Sequence, residues 1–229
     1  MFENKEKIKK FQIIKNLSAL YETISSVSLK AGRPSNEVGL MAVTKFHSAE
    51  EVKIVLEQGH RLFGENRVQE AEQKYSLLKQ DYPDARLHLI GPLQTNKVRQ
   101  AISLFDVIET LDRARLARAL HKEQQNMGRC PDLYIQVNTG EEPQKAGVHP
   151  GELDELLKLS RTELKLPVKG LMCIPPADDE PALHFGFLAT LARRHKLKTL
   201  SMGMSADFEA AIKLGTSHVR IGTSIFGNR

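Results

Sequence analysis

Val38-Gly39-Leu40-Met41-Ala42-Val43-Thr44-Lys45-Phe46-His47 is the stretch on which the fold turns. Its apolar part is nearly continuous rather than alternating, as expected of a strand buried on both faces in a parallel sheet. Residues 49–58 then carry a helical pattern. The turn between them, Thr44 to His47, lacks the GxGxxG that seats a dinucleotide pyrophosphate in a doubly wound sheet. The unit is therefore a βα pair with a lysine, not a glycine-rich loop, at the strand's exit.

The same unit recurs along the chain. Further strands are expected at 61–63, 87–90, 106–109, 133–137, 168–174, 199–202 and 218–221. Helices are expected at 68–79, 113–125, 151–161, 181–195 and 207–214. Eight βα units are the number that closes a barrel. The expected fold is α/β: one (β/α)8 TIM barrel spanning residues 1–229 as a single domain, with an open doubly wound sheet as the alternative. An extra helix precedes it at 8–29, where Phe11, Ile14, Leu17, Leu20, Tyr21 and Ile24 recur at spacings of three and four.

Composition narrows the function classes. The 33 Lys and Arg against 28 Asp and Glu leave a charge of only +5, spread without a basic run or interleaved aromatics, so nucleic acid is not an expected partner. Cys130 and Cys173 lie far apart without CxxC spacing, and no HxH or HExxH is present, so neither a disulfide framework nor a metal site is expected. The first ten residues carry Glu3 and Glu6 and lack an apolar leader, and no run approaches the roughly 20 apolar residues that span a bilayer. A cytoplasmic location is expected, with no membrane partner.

Barrels build their sites at the C-terminal ends of the strands. Here those exits are polar: Thr44-Lys45, Gly64-Glu65-Asn66, Gly91-Pro92-Leu93-Gln94, Asn138-Thr139-Gly140, Ser201 through Ser205, and Arg220 through Ser224. The last two combine glycine with hydroxyls just before helix starts, where exposed amides hold a phosphate. Taken singly, Ser205 and Thr223 read as plain helix N-caps; at adjacent exits they read as a phosphate site. Lys45 leaves an apolar strand, and a desolvated amine there attacks an aldehyde, whereas a lone lysine more often snorkels to water. Strand one neighbours strand eight in a closed barrel, which brings Lys45 beside that phosphate site. His88, inside a strand, reads as a core residue, Cys173 as a small hydrophobe, and residues 193–196 as the solvated end of a helix.

The blocks MAVTK (41–45), LFGENRVQEA (62–71), LHLIGPLQTNK (87–97), QVNTGEEPQKAGV (136–148), GLMCIPP (170–176) and LSMGMSADFEAAIKLGTSHVRIGTSIFG (200–227) resemble the pyridoxal phosphate homeostasis protein family, related in fold to the barrel domain of bacterial alanine racemases. The resemblance implies pyridoxal 5'-phosphate held as a Schiff base on Lys45, its phosphate on Ser205, Gly222 and Thr223, and Arg220 at the pyridine nitrogen. Asn66, His88 and Met202 match positions lining the family's pocket. Phe46-His47 departs from the family, which more often carries small or polar residues there. A cation at the pyridine nitrogen disfavours pyridinium and makes the ring a weak electron sink. In alanine racemases a second base, a tyrosine, comes from a further domain; none is expected beyond Arg229 here, and Tyr21, Tyr75, Tyr82 and Tyr134 fall away from the exits. The resemblance thus implies a carrier that buffers the cofactor and supplies it to apoenzymes, without dedicated turnover; a monomer is expected. The alternatives are an amino-acid racemase or lyase with Lys45 as sole base, and a Schiff-base aldolase acting on a sugar phosphate.

Overall fold

The computed structural model describes residues 2–227. Its elements alternate as α1 (Phe2–Lys30), β1 (Gly39–Val43), α2 (Ala49–Glu57), β2 (Leu62–Glu65), α3 (Val68–Asp81), β3 (Arg86–Leu89), α4 (Val98–Leu104), β4 (Val107–Leu111), α5 (Ala114–Met127), β5 (Asp132–Gln136), α6 (Leu153–Leu157), β6 (Val168–Met172), α7 (Pro181–Arg194), β7 (Thr199–Met204), α8 (Phe208–Lys213), β8 (His218–Ile221) and α9 (Thr223–Phe226). The strands form a closed parallel barrel in sequence order. β1 meets β8 with Met41 opposite Arg220 and Ala42 opposite Ile221.

Side chains alternate across each strand, and the two sets have different chemistry. Leu40, Ala42, Phe63, Leu87, Leu89, Ile108, Leu133, Ile135, Leu171, Val219 and Ile221 join the helices in one buried apolar cluster. Each Leu, Ile, Val or Phe among them contributes about 1.5–3 kcal/mol by leaving water, Ala42 less. The barrel interior holds a separate small cluster, Val107, Tyr134 and Met172. Around it are the buried polar groups His88, Glu109, Ser201, His218 and Arg220. The expected closed (β/α)8 barrel is therefore present, with an interior far more polar than the branched aliphatic layers usual in this architecture.

Several boundaries differ from the sequence reading. β4 continues to Leu111, which makes Glu109 an interior residue rather than a strand end. β6 stops at Met172 and β7 continues to Met204. The short helix α4, preceded by a 3-10 turn at Thr95–Lys97, was not expected: Val98, Ala101 and Ile102 have helical spacing, but seven residues span only about two turns, too short for the pattern to stand out. The expected helix at 151–161 is instead a 3-10 turn, the short α6 and a π-helical turn at Lys158–Glu163. In α1 the buried stripe is Ile13, Leu17, Ile24 and Val27, while Phe11 is 69% exposed. Both stripes satisfy helical spacing, and only the docking angle of α1 separates them.

That docking ties α1 to both ends of the barrel. Asn16 Nδ2 donates to the Ile225 carbonyl at 2.9 Å, and Arg33 donates to the carbonyls of Ile212 and Thr216, each at 2.8 Å. Tyr21 Oη and His60 Nδ1 are 2.6 Å apart, with His60 Nε2 2.6 Å from the Leu62 carbonyl. The neutral ring fits both contacts, donating to the carbonyl and accepting from the phenol. α2 starts on a capping box in which Ser48 and Glu51 satisfy each other's backbone amides, worth about 1 kcal/mol. The turn after β1 is thereby fixed at its far end.

Two stability measurements follow. In urea unfolding, Leu17→Ala should cost about 2–5 kcal/mol and Phe11→Ala under about 0.5 kcal/mol; equal losses would restore the stripe read from sequence. Burial lowers His60 from 6.5 to about 4. The unfolded chain then binds a proton there that the native chain refuses, so stability is lost as pH falls from about 6.5 to about 4. His60→Asn should flatten melting temperature against pH across that window.

Candidate functional site

Lys45 follows β1 and is half-buried, with no ion pair or side-chain hydrogen bond to any described residue. Its two peptide neighbours are held from behind the barrel. The Thr44 hydroxyl donates to Glu65 Oε1 at 2.7 Å and lies 2.8 Å from the Tyr75 hydroxyl, which must then be the donor of that pair. The Thr44 carbonyl accepts from Lys74 Nζ at 2.6 Å. Lys74 also pairs with Glu65 at 2.6 Å and Glu70 at 2.9 Å, and Glu70 accepts the amide of Phe46. Burial pushes the Glu65 carboxyl up, against the pull of Lys74 and Thr44. Phe46 adopts φ +67, a left-handed geometry that costs a bulky residue about 1–3 kcal/mol and persists only where neighbours enforce it. Glu70 and the Lys74 network are that enforcement.

On the adjoining strand, Arg220 is buried and doubly anchored. Nη1 donates to Ser201 Oγ at 2.7 Å and Nη2 to the Cys173 carbonyl at 2.8 Å. Past Arg220 the chain passes through Gly222, where a Cβ would come within 3.1 Å of the Val43 carbonyl oxygen. Gly222 is the N-cap of α9, and Thr223 is its first residue. Ser205 lies in the turn after β7, whose following helix is capped by Asp207. Neither hydroxyl residue is thus an N-cap, and both are exposed. The amides opening α9 have no intrahelical acceptor. Two free hydroxyls and bare backbone at Gly222 fit a phosphate at this rim, next to the strand that delivers Lys45.

Deeper in the barrel, four strands contribute to one hydrogen-bonded ladder. Glu109 Oε1 accepts from His88 Nδ1 at 2.7 Å and His218 Nε2 at 2.9 Å, and its Oε2 accepts from Ser201 Oγ at 2.5 Å. Full burial alone would raise the Glu109 carboxyl; the charge of His218 and the hydrogen bonds from both histidines outweigh it and hold the group well below the usual carboxylate range. His88 is itself lowered, chiefly by burial, against the pull of Glu109. Among the described residues His88, Glu109 and His218 are the group whose ligand atoms gather within 4.8 Å. Those atoms already satisfy one another, and Arg220 adds a cation one hydroxyl away, so the arrangement is a proton-bearing network rather than a cation site.

Two expected pocket residues are relocated by this geometry. His88 faces the ladder and a cavity of about 620 Å³ at the opposite end of the barrel, together with Tyr134, Arg86 and His218. Although β3 ends only one residue later, the His88 side chain turns inward onto Glu109 and His218. Met202 has no exposed surface and packs in the helix-side cluster. Its neighbour Ser201 takes the inward position, and Met204, 37% exposed, reaches the rim. Asn66 does line a cleft at the exits, about 570 Å³ in volume, with Gln94 and Lys97. Cys173 is buried on the helix side, where burial pushes its thiol up to about 12; it serves the site through its carbonyl.

Sequence reasoning missed Glu109, Ser201 and His218 as a unit and Lys74 as the support of the Lys45 turn. The available signal was a carboxylate inside a strand expected to be buried on both faces, which requires a partner from elsewhere.

A family model described as the alanine racemase N-terminal domain matches residues 16–229. A pyridoxal phosphate homeostasis protein of Vibrio alginolyticus is 40% identical over 227 residues, covering 95% of this chain and 97% of that one. Its Escherichia coli K12 counterpart is 36% identical over 226 residues, covering 95% and 97%. Among solved structures, PipY of Synechococcus elongatus with pyridoxal phosphate bound is similar at TM-score 0.80 and 35% identity, covering 94% of this chain and 100% of that one. An alanine racemase of Clostridium difficile, 14% identical with TM-score 0.74 over 95% of this chain and 57% of its own, shares the fold. Matched by that family model over residues 16–229 and by these relatives over nearly its full length, the chain belongs to the pyridoxal phosphate homeostasis protein family, built on the alanine racemase N-terminal domain.

Proposed function

We propose that this chain binds pyridoxal 5'-phosphate through Lys45, acts in cofactor homeostasis by storing it and releasing it to apoenzymes, and has no dedicated turnover. The observation that carries the reading is Arg220, pinned by Ser201 and the Cys173 carbonyl on the strand beside Lys45. When bound, the cofactor supplies an aldehyde for the lysine and a ring that withdraws electrons. A fixed guanidinium at the ring nitrogen opposes its protonation and weakens that withdrawal. Ser205, Gly222 and Thr223 take the phosphate in this reading, Asn66 lies at the pocket's edge, and His88 and Met202 no longer belong to the contact set.

The described tyrosines support a carrier over a racemase. Tyr75 is buried behind the barrel against Thr44, Tyr134 faces the opposite end, Tyr21 pairs with His60, and Tyr82 ends α3 beneath the Arg61 guanidinium. General acid–base groups contribute about 10²–10⁴ each, so Lys45 alone would leave amino-acid turnover slow. No helix among the described residues is long and apolar enough to cross a membrane. A monomer in the cytoplasm, with apo pyridoxal enzymes as transient recipients, completes the proposal.

Borohydride reduction of the loaded protein should place a pyridoxyl group on Lys45, and loaded protein should restore activity to an apo pyridoxal enzyme while Lys45→Ala does so poorly. Labelling mainly at Lys97 or Lys145, or a turnover of about 1 s⁻¹ or more on a common amino acid, would contradict it. The Ser205→Ala, Thr223→Ala double variant should lose roughly 10²- to 10⁴-fold in affinity for the phosphorylated cofactor. Its binding of unphosphorylated pyridoxal should match that of wild type; equal wild-type affinity for both forms would put the phosphate site elsewhere.

A further inference from the structure

We infer that Glu109 is a positioning residue for Arg220, acting through the Ser201 hydroxyl, and that this buried carboxylate sets the charge met by the cofactor's ring nitrogen. The inference rests on the reading that Arg220 meets that nitrogen. Its own ground is the polarity of the ladder. An ionised carboxylate only accepts, so the one proton of Ser201 is committed to Glu109 Oε2 at 2.5 Å. The hydroxyl's lone pairs are then left for Arg220 Nη1 at 2.7 Å. His88 and His218 occupy the other oxygen from below and keep the carboxylate from turning. The result is a cation and an anion joined by a single hydroxyl, with one allowed direction for every proton between them.

The groups around Glu109 come from four other strands of the barrel: His88 on β3, Tyr134 on β5, Ser201 on β7, and His218 and Arg220 on β8, with Arg86 and Asp132 next at the base. Lys74, Glu65 and Glu70 surround the backbone at Lys45 from the other side. A neutral residue at 109 removes the anion and frees the Ser201 hydroxyl to reverse. Arg220 then presents its charge uncompensated, and the protonated form of the lysine–cofactor linkage is disfavoured.

The test is the pH midpoint of the visible absorption band of protein loaded with pyridoxal 5'-phosphate, with borohydride labelling and apo-protein melting run alongside. Glu109→Gln should still label at Lys45 and lower the midpoint by about one pH unit, because the Arg220 charge then acts on the linkage uncompensated. Ser201→Ala should move it in the same direction, and decides alone if Glu109→Gln does not fold, since it leaves the histidine clamp in place. In an Arg220→Gln background, Glu109→Gln should shift the midpoint less than half as far. Unmoved midpoints, or equal shifts with and without Arg220, overturn the inference while leaving the Lys45 assignment standing. Wild type that fails to label at Lys45 would instead remove the carrier reading on which it rests.

Discussion

A fully buried carboxylate is the constraint around which this barrel is organised. Taking Glu109 out of water costs several kcal/mol unless its oxygens are satisfied, and three side chains from three other strands satisfy them. Parallel strands have a side-chain period of two, so a one-residue slip of β3, β4, β7 or β8 would turn one of these groups toward the helices. Register and chemistry are therefore one requirement. The ladder that makes a slip unfavourable is the same one that leaves Arg220 presented beneath the mouth.

The site is held by two supports that do not overlap. Inside the barrel, Ser201 and the Cys173 carbonyl fix Arg220. Outside it, Lys74, Glu65 and Glu70 fix the backbone on either side of Lys45, and they hold Phe46 in its left-handed geometry. The lysine thus stands on a rigid peptide frame while its own side chain engages no described neighbour. Frame rigidity with an unpaired amine suits the proposed role of Lys45 in capturing and releasing an aldehyde, because binding would then order only one side chain.

Much of this was legible in the sequence, for reasons that differ by element. Eight apolar runs separated by helical patterns gave the barrel, because parallel strands buried on both faces have a distinctive composition. The positions of Lys45, Ser205, Gly222 and Thr223 at the exits were legible because exits are where an apolar run turns polar; their part in holding the cofactor is the proposal. Ser201 and Met202 were not separable: adjacent residues in one strand face opposite sides, and nothing local says which faces in. Glu109 and Ser201 are 92 positions apart, and Glu109 and His218 are 109 apart, so only closure of the barrel brings them together. The stripe of α1 was misplaced for a related reason, since its partners Ile212, Thr216 and Ile225 come from the opposite end of the chain.

That last feature bears on how the protein is made. α1 packs on α2 early in the chain, but the rest of its groove is assembled from α8 and α9, and β1 finds its second neighbour only when β8 exists. At about 5–20 residues per second, the ribosome needs roughly 10–35 s to supply the intervening chain. Throughout that interval part of the apolar stripe of α1 and one edge of β1 are uncovered on the nascent polypeptide. A chain of this design relies on cellular holding factors, or on transient local burial, until its final thirty or so residues emerge and close the ring.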